Sequence, residues 1–126
     1  GGFIVYLDSD DYWGANHLQT ITRSSFGNWA FYNAYFYDVK TKGFVEKPAD
    51  IRKCAGHGTA NIVHRRIDGL LWPTQPRNPY TNKLDYGKQD CAFTDELKRI
   101  PGGVRIPTPE YYVCHLPGHL PNSYDV

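Results

Sequence analysis

Two short segments combine cysteine with histidine at spacings that zinc sites use. The first is Cys54-x-x-His57, and the second runs Cys114-His115-x-x-x-His119. A structural zinc ion takes four cysteine or histidine ligands, which commonly come as two close ligands from each of two segments. Cys54, His57, Cys114 and His119 would supply that number. The competing interpretation is a disulfide or ordinary buried thiols, because the three cysteines of the chain allow at most one internal disulfide.

The histidines also suit chemistry that needs no metal. Imidazole titrates near neutral pH, so two histidines can act as general base and general acid. Arginines can hold a phosphate through paired hydrogen bonds, and tyrosine rings can stack on a nucleobase. The candidates are His57, His64 and His115 for proton transfer, Arg65, Arg66 and Arg105 for the anion, and Tyr80, Tyr86, Tyr111 and Tyr112 for the base. This set predicts a ribonuclease-like hydrolase or transferase that acts on a nucleic acid or nucleotide without a cofactor.

A cysteine nucleophile is a further possibility. Cys54 follows a lysine that would lower its pKa, and Gly56 and Gly58 would allow the sharp turn that brings His57 back to it. His64 or His115 could replace His57 as the base. A buried or disulfide-bonded Cys54 is the alternative interpretation.

A recognition module without catalysis is the main alternative to an enzyme. The sequence has no phosphate-binding glycine loop, His-Glu-x-x-His helix, Gly-x-Ser-x-Gly elbow or calcium loop, so nucleotide-cofactor enzymes and common hydrolases are not indicated. Exposed aromatic residues and a long loop over 73–90 would instead bind a carbohydrate or a protein. The cysteines and histidines would then form a disulfide or a structural zinc site.

Composition narrows the partners and the origin of the chain. The 126 residues carry a formal net charge of +1, so bulk charge attracts neither nucleic acid nor membrane. No apolar run reaches the roughly 20 residues that span a bilayer, and membrane insertion is not expected. Ten tyrosines, nine prolines, twelve glycines and no methionine are typical of a secreted or exported effector or toxin domain, processed from a precursor or a larger chain.

The aromatic stretch 26–47 is the segment around which the fold is expected to form. Aromatic or apolar residues occupy both parities of an extended chain from Trp29 to Val39, which indicates a central strand covered on two sides. A polar turn follows, in which Gly43 can adopt a positive φ, and Phe44 begins the return strand of a hairpin.

The remaining elements predict an α+β fold, with 1–126 as a single domain and a mainly antiparallel twisted sheet. An apolar strand at 3–7 precedes an N-terminal helix at 12–23, for which the aspartates at 8–11 supply cap chemistry. The 62–67 segment is expected to form a strand, and a short helix from Thr59 is the alternative. A helix capped by Thr94 and two strands complete the set, at 94–100, 104–106 and 110–115, before an irregular tail at 116–126.

Overall fold

The computed structural model describes residues 2–9, 11–51, 58–70 and 89–113. Strands predominate in these segments, and two helices and one 3₁₀ turn accompany them. The strands are β1 (Phe3–Val5), β2 (Tyr12–Trp13), β3 (Trp29–Phe31), β4 (Ala34–Asp38), β5 (Gly43–Lys47), β6 (Ile62–Arg65), β7 (Val104–Arg105) and β8 (Tyr111–Val113). The helices are α1 (His17–Arg23) and α2 (Gln89–Lys98), and the 3₁₀ turn covers Thr59–Asn61.

The strands form two four-stranded sheets. The first sheet has the order β1-β6-β3-β7 and the second the order β2-β8-β4-β5. The β3–β7 and β4–β8 pairs are parallel, whereas the other pairs are antiparallel. The predicted α+β class is therefore confirmed, and most strand pairs are antiparallel as predicted, but the strands form two mixed sheets where one sheet was expected.

The aromatic stretch does not run as one strand. It divides at Tyr32 and Asn33, so that β3 belongs to the first sheet and β4 to the second. Asn61 exchanges hydrogen bonds with the Tyr32 backbone, which donates at 2.9 Å and accepts at 2.8 Å. The Asn33 side chain donates to Glu46 at 2.8 Å and accepts from the Ala49 amide at 3.1 Å. Side-chain amides thus hydrogen-bond the backbone where the chain passes from the first sheet to the second. The periodicity of the sequence does not reveal this division.

The hairpin of β4 and β5 is present, but its left-handed residue is Lys42, with φ of 56°, and not Gly43. Asp38 holds the turn in place. Its carboxylate accepts hydrogen bonds from the Lys40 amide and the Thr41 hydroxyl, both at 3.0 Å, and its carbonyl accepts from the Lys42 amide at 2.8 Å. These bonds offset the modest cost of a positive φ in a residue with a Cβ atom.

The N-terminal helix is shorter than predicted, because its expected first turn is a strand. β2 pairs with β8 in the second sheet, and the Gly14 amide donates to the Glu110 carbonyl at 2.7 Å. Helix α1 begins only at His17, after Asn16, whose side chain makes no capping hydrogen bond. Asp11 does not cap it either, since its buried carboxylate accepts the Tyr111 hydroxyl at 2.8 Å.

Helix α2 begins earlier than predicted, and Thr94 lies inside it. The Thr94 hydroxyl is buried and donates to the carbonyls of Asp90 and Cys91, at 3.1 and 3.0 Å, instead of capping the helix. Asp90 links the start of α2 to the 3₁₀ turn, because its carboxylate accepts the amide and the hydroxyl of Thr59 at 2.9 and 2.5 Å. The 59–65 segment combines both interpretations made from sequence, a helical turn followed by a strand.

The first sheet is covered on both faces. On one face, residues of β3 and β6 such as Ala30 and Val63 pack into a core shared with α1 and the second sheet. On the other face, Trp29 and Ile62 pack against Phe93 and Leu97, of which the last two belong to α2. The double coverage predicted for the aromatic stretch therefore holds for β3. Most of the predicted loop and all of the predicted tail lie outside the described residues.

Candidate functional site

Many of the residues predicted to do chemistry lie outside the described segments. These are His57, His115 and His119, Cys54 and Cys114, and Tyr80 and Tyr86. The zinc set and the three-histidine set therefore stay predictions. Within the described residues, no group of three or more histidine, cysteine, aspartate or glutamate side chains is placed to hold a metal ion.

His64 is held at both ring nitrogens in the interior of the first sheet. Its side chain is 4% exposed and packs against Phe93. Nδ1 lies 2.7 Å from the Arg65 carbonyl, so Nδ1 carries a proton, since a carbonyl only accepts. In the neutral ring Nε2 is then the acceptor for the Tyr6 hydroxyl at 2.6 Å. The arrangement fixes the orientation of the ring and leaves neither nitrogen facing solvent.

The arginines predicted to hold an anion do not converge. Arg65 donates through Nε to the Gly27 carbonyl at 2.9 Å, near the beginning of β3. Arg105 of β7 lies opposite Phe31, at the end of β3, in the strand pairing. Its guanidinium donates to the Asn33 side chain and to the Ala49 carbonyl. Arg66 is exposed beside Arg65. Each guanidinium group thus has its own surroundings.

The two predicted base-stacking tyrosines that the structure describes differ sharply. Tyr111 is 1% exposed, and its hydroxyl donates to Asp11 and accepts the Asp8 amide at 3.1 Å. Burial raises the pKa of Tyr111, so the phenol is neutral at any physiological pH. Tyr112 points to the opposite face of β8 and is half-buried. Only Tyr112 therefore has ring surface that a partner could contact.

Tyr112 belongs to a row of aromatic side chains on the outer face of the second sheet. Strand pairing places Tyr12 and Tyr35 beside it, and Phe44 opposite Tyr37. The tyrosines are half-buried, and Phe44 is 36% exposed. These five residues, Tyr12, Tyr35, Tyr37, Phe44 and Tyr112, are called the tyrosine surface below.

The rings of the tyrosine surface support one another. Tyr112 stacks between Tyr12 and Tyr35, with centroid distances of 4.7 and 5.4 Å and interplanar angles of 21° and 25°. Phe44 meets Tyr112 edge to face at 4.9 Å, and it meets Tyr37 in the same way at 5.7 Å. Stacked rings cover part of one another's faces, so edges and hydroxyls form much of the accessible surface.

Carboxylates border the tyrosine surface at the end where β4 begins. Hydrogen bonds from Asn33 and Thr108, at 2.8 and 2.7 Å, hold the pKa of Glu46 below its usual value and keep it ionised. The pKa of Tyr35 is raised by burial first and then by neighbouring groups that include Glu46 and Glu110. Burial, with smaller contributions from Tyr112 and Glu110, likewise raises the pKa of Tyr12. Both carboxylates thus act on this end of the tyrosine surface.

Sequence reasoning missed most of this surface. The alternation of Tyr35 and Tyr37 along one strand was visible, and it signals a shared face. The contributions of Tyr12 and Phe44 depend on strand order. Tyr12 was placed in a helix, and its neighbour β8 lies about 100 residues further along the chain. Nothing local in the sequence pairs these two strands.

The fifth histidine, His17, is the other feature that sequence reasoning did not single out. It is fully buried, stacks on Trp13 at 4.9 Å and 11°, and meets Tyr32 edge to face. Neither of its ring nitrogens makes a hydrogen bond of normal geometry within the described residues, and the same is true of Trp13 Nε1 and the Tyr32 hydroxyl. Burial lowers the pKa of His17 to about 4, although the carbonyl and carboxylate of nearby Glu110 act in the opposite direction.

Comparison of the chain with protein-family models, curated proteins and solved structures finds no match. No helix among the described residues has the length and apolar character needed to cross a membrane. Cys91 is disulfide-bonded. The predicted cysteine pairing and the predicted secretion stay predictions.

Proposed function

We propose that this chain is a recognition domain that binds a basic segment of another protein through the tyrosine surface. The observation that carries the proposal is the stacked row of half-buried aromatic rings on the outer face of the second sheet. Tyrosine is enriched at protein interfaces because it offers a large amphipathic area with few rotatable bonds. A binding role for these tyrosines would explain why so many aromatic rings contact solvent.

Ring packing supports binding without a large ordering cost. Each side chain immobilised at an interface costs about 0.5–1.5 kcal/mol, and rings already fixed by their neighbours avoid much of that cost. Tyr112 is the centre of the row, because it contacts Tyr12, Tyr35 and Phe44. Residues at the centre of an interface commonly dominate the binding energy.

Charge favours a basic partner over a nucleic acid. Glu46 and Glu110 act on the hydroxyl of Tyr35 from the end where β4 begins, and both carboxylates would repel a phosphate backbone. Lys40 and Lys42 lie at the opposite end, in the hairpin turn. A bound peptide would therefore place its lysines and arginines at the Glu46 end of the tyrosine surface.

Stacking also favours a protein over a carbohydrate at this surface. A sugar ring stacks on an open aromatic face. Here the faces of Tyr112 are turned toward Tyr12 and Tyr35, while ring edges and hydroxyls remain accessible. Edges and hydroxyls suit the mixed apolar and polar contacts of a peptide. The acid–base hypothesis built on His57, His64 and His115 stays a separate prediction.

Panning a random-peptide phage library against the folded protein tests the proposal. We expect enriched peptides to combine apolar residues with lysine or arginine, and their binding to weaken as salt is raised. Tyr112→Ala should weaken binding by roughly 30-fold, which corresponds to a contact worth about 2 kcal/mol. Glu46→Gln should weaken binding less and reduce its salt dependence.

Tyr32→Phe is the matched control, because it removes a tyrosine hydroxyl that is buried in the core and has no partner within the described residues. Its peptide affinity should equal that of the unmodified protein. Selection of acidic peptides, or peptides that bind the Tyr112→Ala variant as tightly as the unmodified protein, would overturn the proposal.

A further inference from the structure

A second feature of the molecule is an apolar cavity between β1 and α1, on the other side of the core from α2. Its volume is about 380 Å³, and the residues that line it are Gly2, Phe3, Val5, Leu18, Ile21 and Thr22. Small-molecule sites have volumes of roughly 300–1,000 Å³ and are lined mainly by apolar side chains. The Thr22 hydroxyl donates to the Gln19 carbonyl at 3.1 Å, so the polar group of this lining is already satisfied.

One cation lies against Phe3, a residue of the cavity lining. Arg65 pairs with Phe3 across β1 and β6, and its guanidinium lies over the Phe3 ring at 4.8 Å and the Phe26 ring at 5.6 Å. The two rings are 5.1 Å apart. Phe3 also lines the cavity, so its ring contacts both the guanidinium and the apolar space.

Arg65 is fixed in place but retains hydrogen-bonding capacity. Its Nε donates to the Gly27 carbonyl at 2.9 Å, and cation–π contacts hold the guanidinium plane. Within the described residues no acceptor is bonded to its two terminal nitrogens, which are the pair that binds a carboxylate side by side. Arg65 is exposed, so an anion can approach it from solvent.

We infer that the cavity and Arg65 together form a binding site for an amphipathic monocarboxylate of medium chain length. The carboxylate would pair with the terminal nitrogens of Arg65, and the alkyl chain would lie against Val5, Leu18 and Ile21. One guanidinium matches one negative charge, which favours a carboxylate over a doubly charged phosphate. This site is separate from the tyrosine surface and does not depend on the proposed function.

Titration with decanoate, below the concentration at which it forms micelles, tests the inference, with decanol as the uncharged ligand of the same length. Binding is measured by calorimetry and by NMR shifts of the Leu18 and Ile21 methyl groups. We expect decanoate to bind more tightly than decanol. Arg65→Gln should weaken the affinity for decanoate about tenfold, which is the effect of losing one charged hydrogen-bonded contact. The affinity for decanol should stay unchanged.

Arg66→Gln provides the matched control, because it removes the same charge from the adjacent exposed position on the other parity of the chain. Its decanoate affinity should equal that of the unmodified protein. Leu18→Glu changes a residue that is 48% exposed, so the fold should tolerate it, and a charge in the lining should abolish binding. A C-terminal peptide carboxylate that binds with decanoate-like affinity would identify a peptide as the source of the ligand, with the same site chemistry.

Three results would overturn the inference. The first is the absence of decanoate binding to the unmodified protein. The second is equal affinity for decanoate and decanol, since the guanidinium would then contribute nothing. The third is an equal loss on Arg65→Gln and Arg66→Gln, because that would reduce the effect to net charge.

Discussion

Protonation of His17 should make the fold sensitive to acid. Its ring is fully buried between Trp13 and Tyr32, and burial lowers the pKa from 6.5 to about 4. Between these two values the unfolded chain binds a proton that the folded chain does not, so stability rises with pH and falls as the solution is acidified. The full contribution is present above pH 6.5 and is lost as the pH approaches 4.

The size of the effect follows from the difference between the two pKa values. The interval from 6.5 to about 4 corresponds to about 3 kcal/mol, at about 1.4 kcal/mol per pKa unit. Small domains are typically stable by about 5–15 kcal/mol, so this single side chain would account for a large share of the margin. The free energy of unfolding should decline steadily across this interval.

Urea unfolding followed by tryptophan fluorescence, repeated from pH 7 to pH 4.5, measures the effect. His17→Phe keeps an aromatic ring against Trp13 and removes the proton-binding group. The slope of its unfolding free energy against pH should therefore correspond to about one proton fewer. Gln19→Ala changes an exposed residue of the same helix, and this variant should retain the full decline in unfolding free energy. The reasoning fails if His17→Phe and the unmodified protein lose stability in parallel, since other groups would then be responsible.

Two further predictions concern the contacts that hold the sheets and α2 together. A Cβ atom at Gly103 would overlap the Trp29 ring, so Gly103→Ala should destabilise by about 1–3 kcal/mol in urea unfolding, whereas Gly27→Ala, with nothing near its Cβ position, should be close to neutral. Equal effects of the two glycine changes would contradict the close packing on Trp29. Asp90→Ala removes the acceptor for the amide and hydroxyl of Thr59 and should cost roughly 2 kcal/mol, measured in the same way. An unchanged unfolding midpoint would show that this link between α2 and the 3₁₀ turn is dispensable.

Local pattern was enough to predict the fold class and several elements. The alternation of aromatic residues located the extended segment that contains β3 and β4, although as one strand, and the polar residues after Asp38 located the hairpin turn. Pattern could not locate the division of the aromatic stretch, since that depends on hydrogen bonds from Asn61, which lies almost 30 residues away. Long-range partners of this kind leave no trace in residue periodicity.

The candidate site depended even more on tertiary contacts. His64 was selected for proton transfer by residue type, and the enclosure of its ring between Tyr6 and the Arg65 carbonyl could not be predicted from the local sequence. The tyrosine surface is assembled from β2, β4, β5 and β8, which come from distant parts of the chain. A residue's chemical type can be predicted from sequence, whereas its exposure and its neighbours follow from strand order.

NMR of the protein labelled with ¹³C in its tyrosine rings, titrated with the strongest peptide from the phage selection, tests the proposed function most directly. The ring signals of Tyr12, Tyr35 and Tyr112 should shift as the peptide is added, because these rings would form the contact. The signals of Tyr32 and Tyr111, which are buried, should stay in place. Peptide binding that leaves the first three signals unchanged would contradict the assignment of the tyrosine surface as the recognition site.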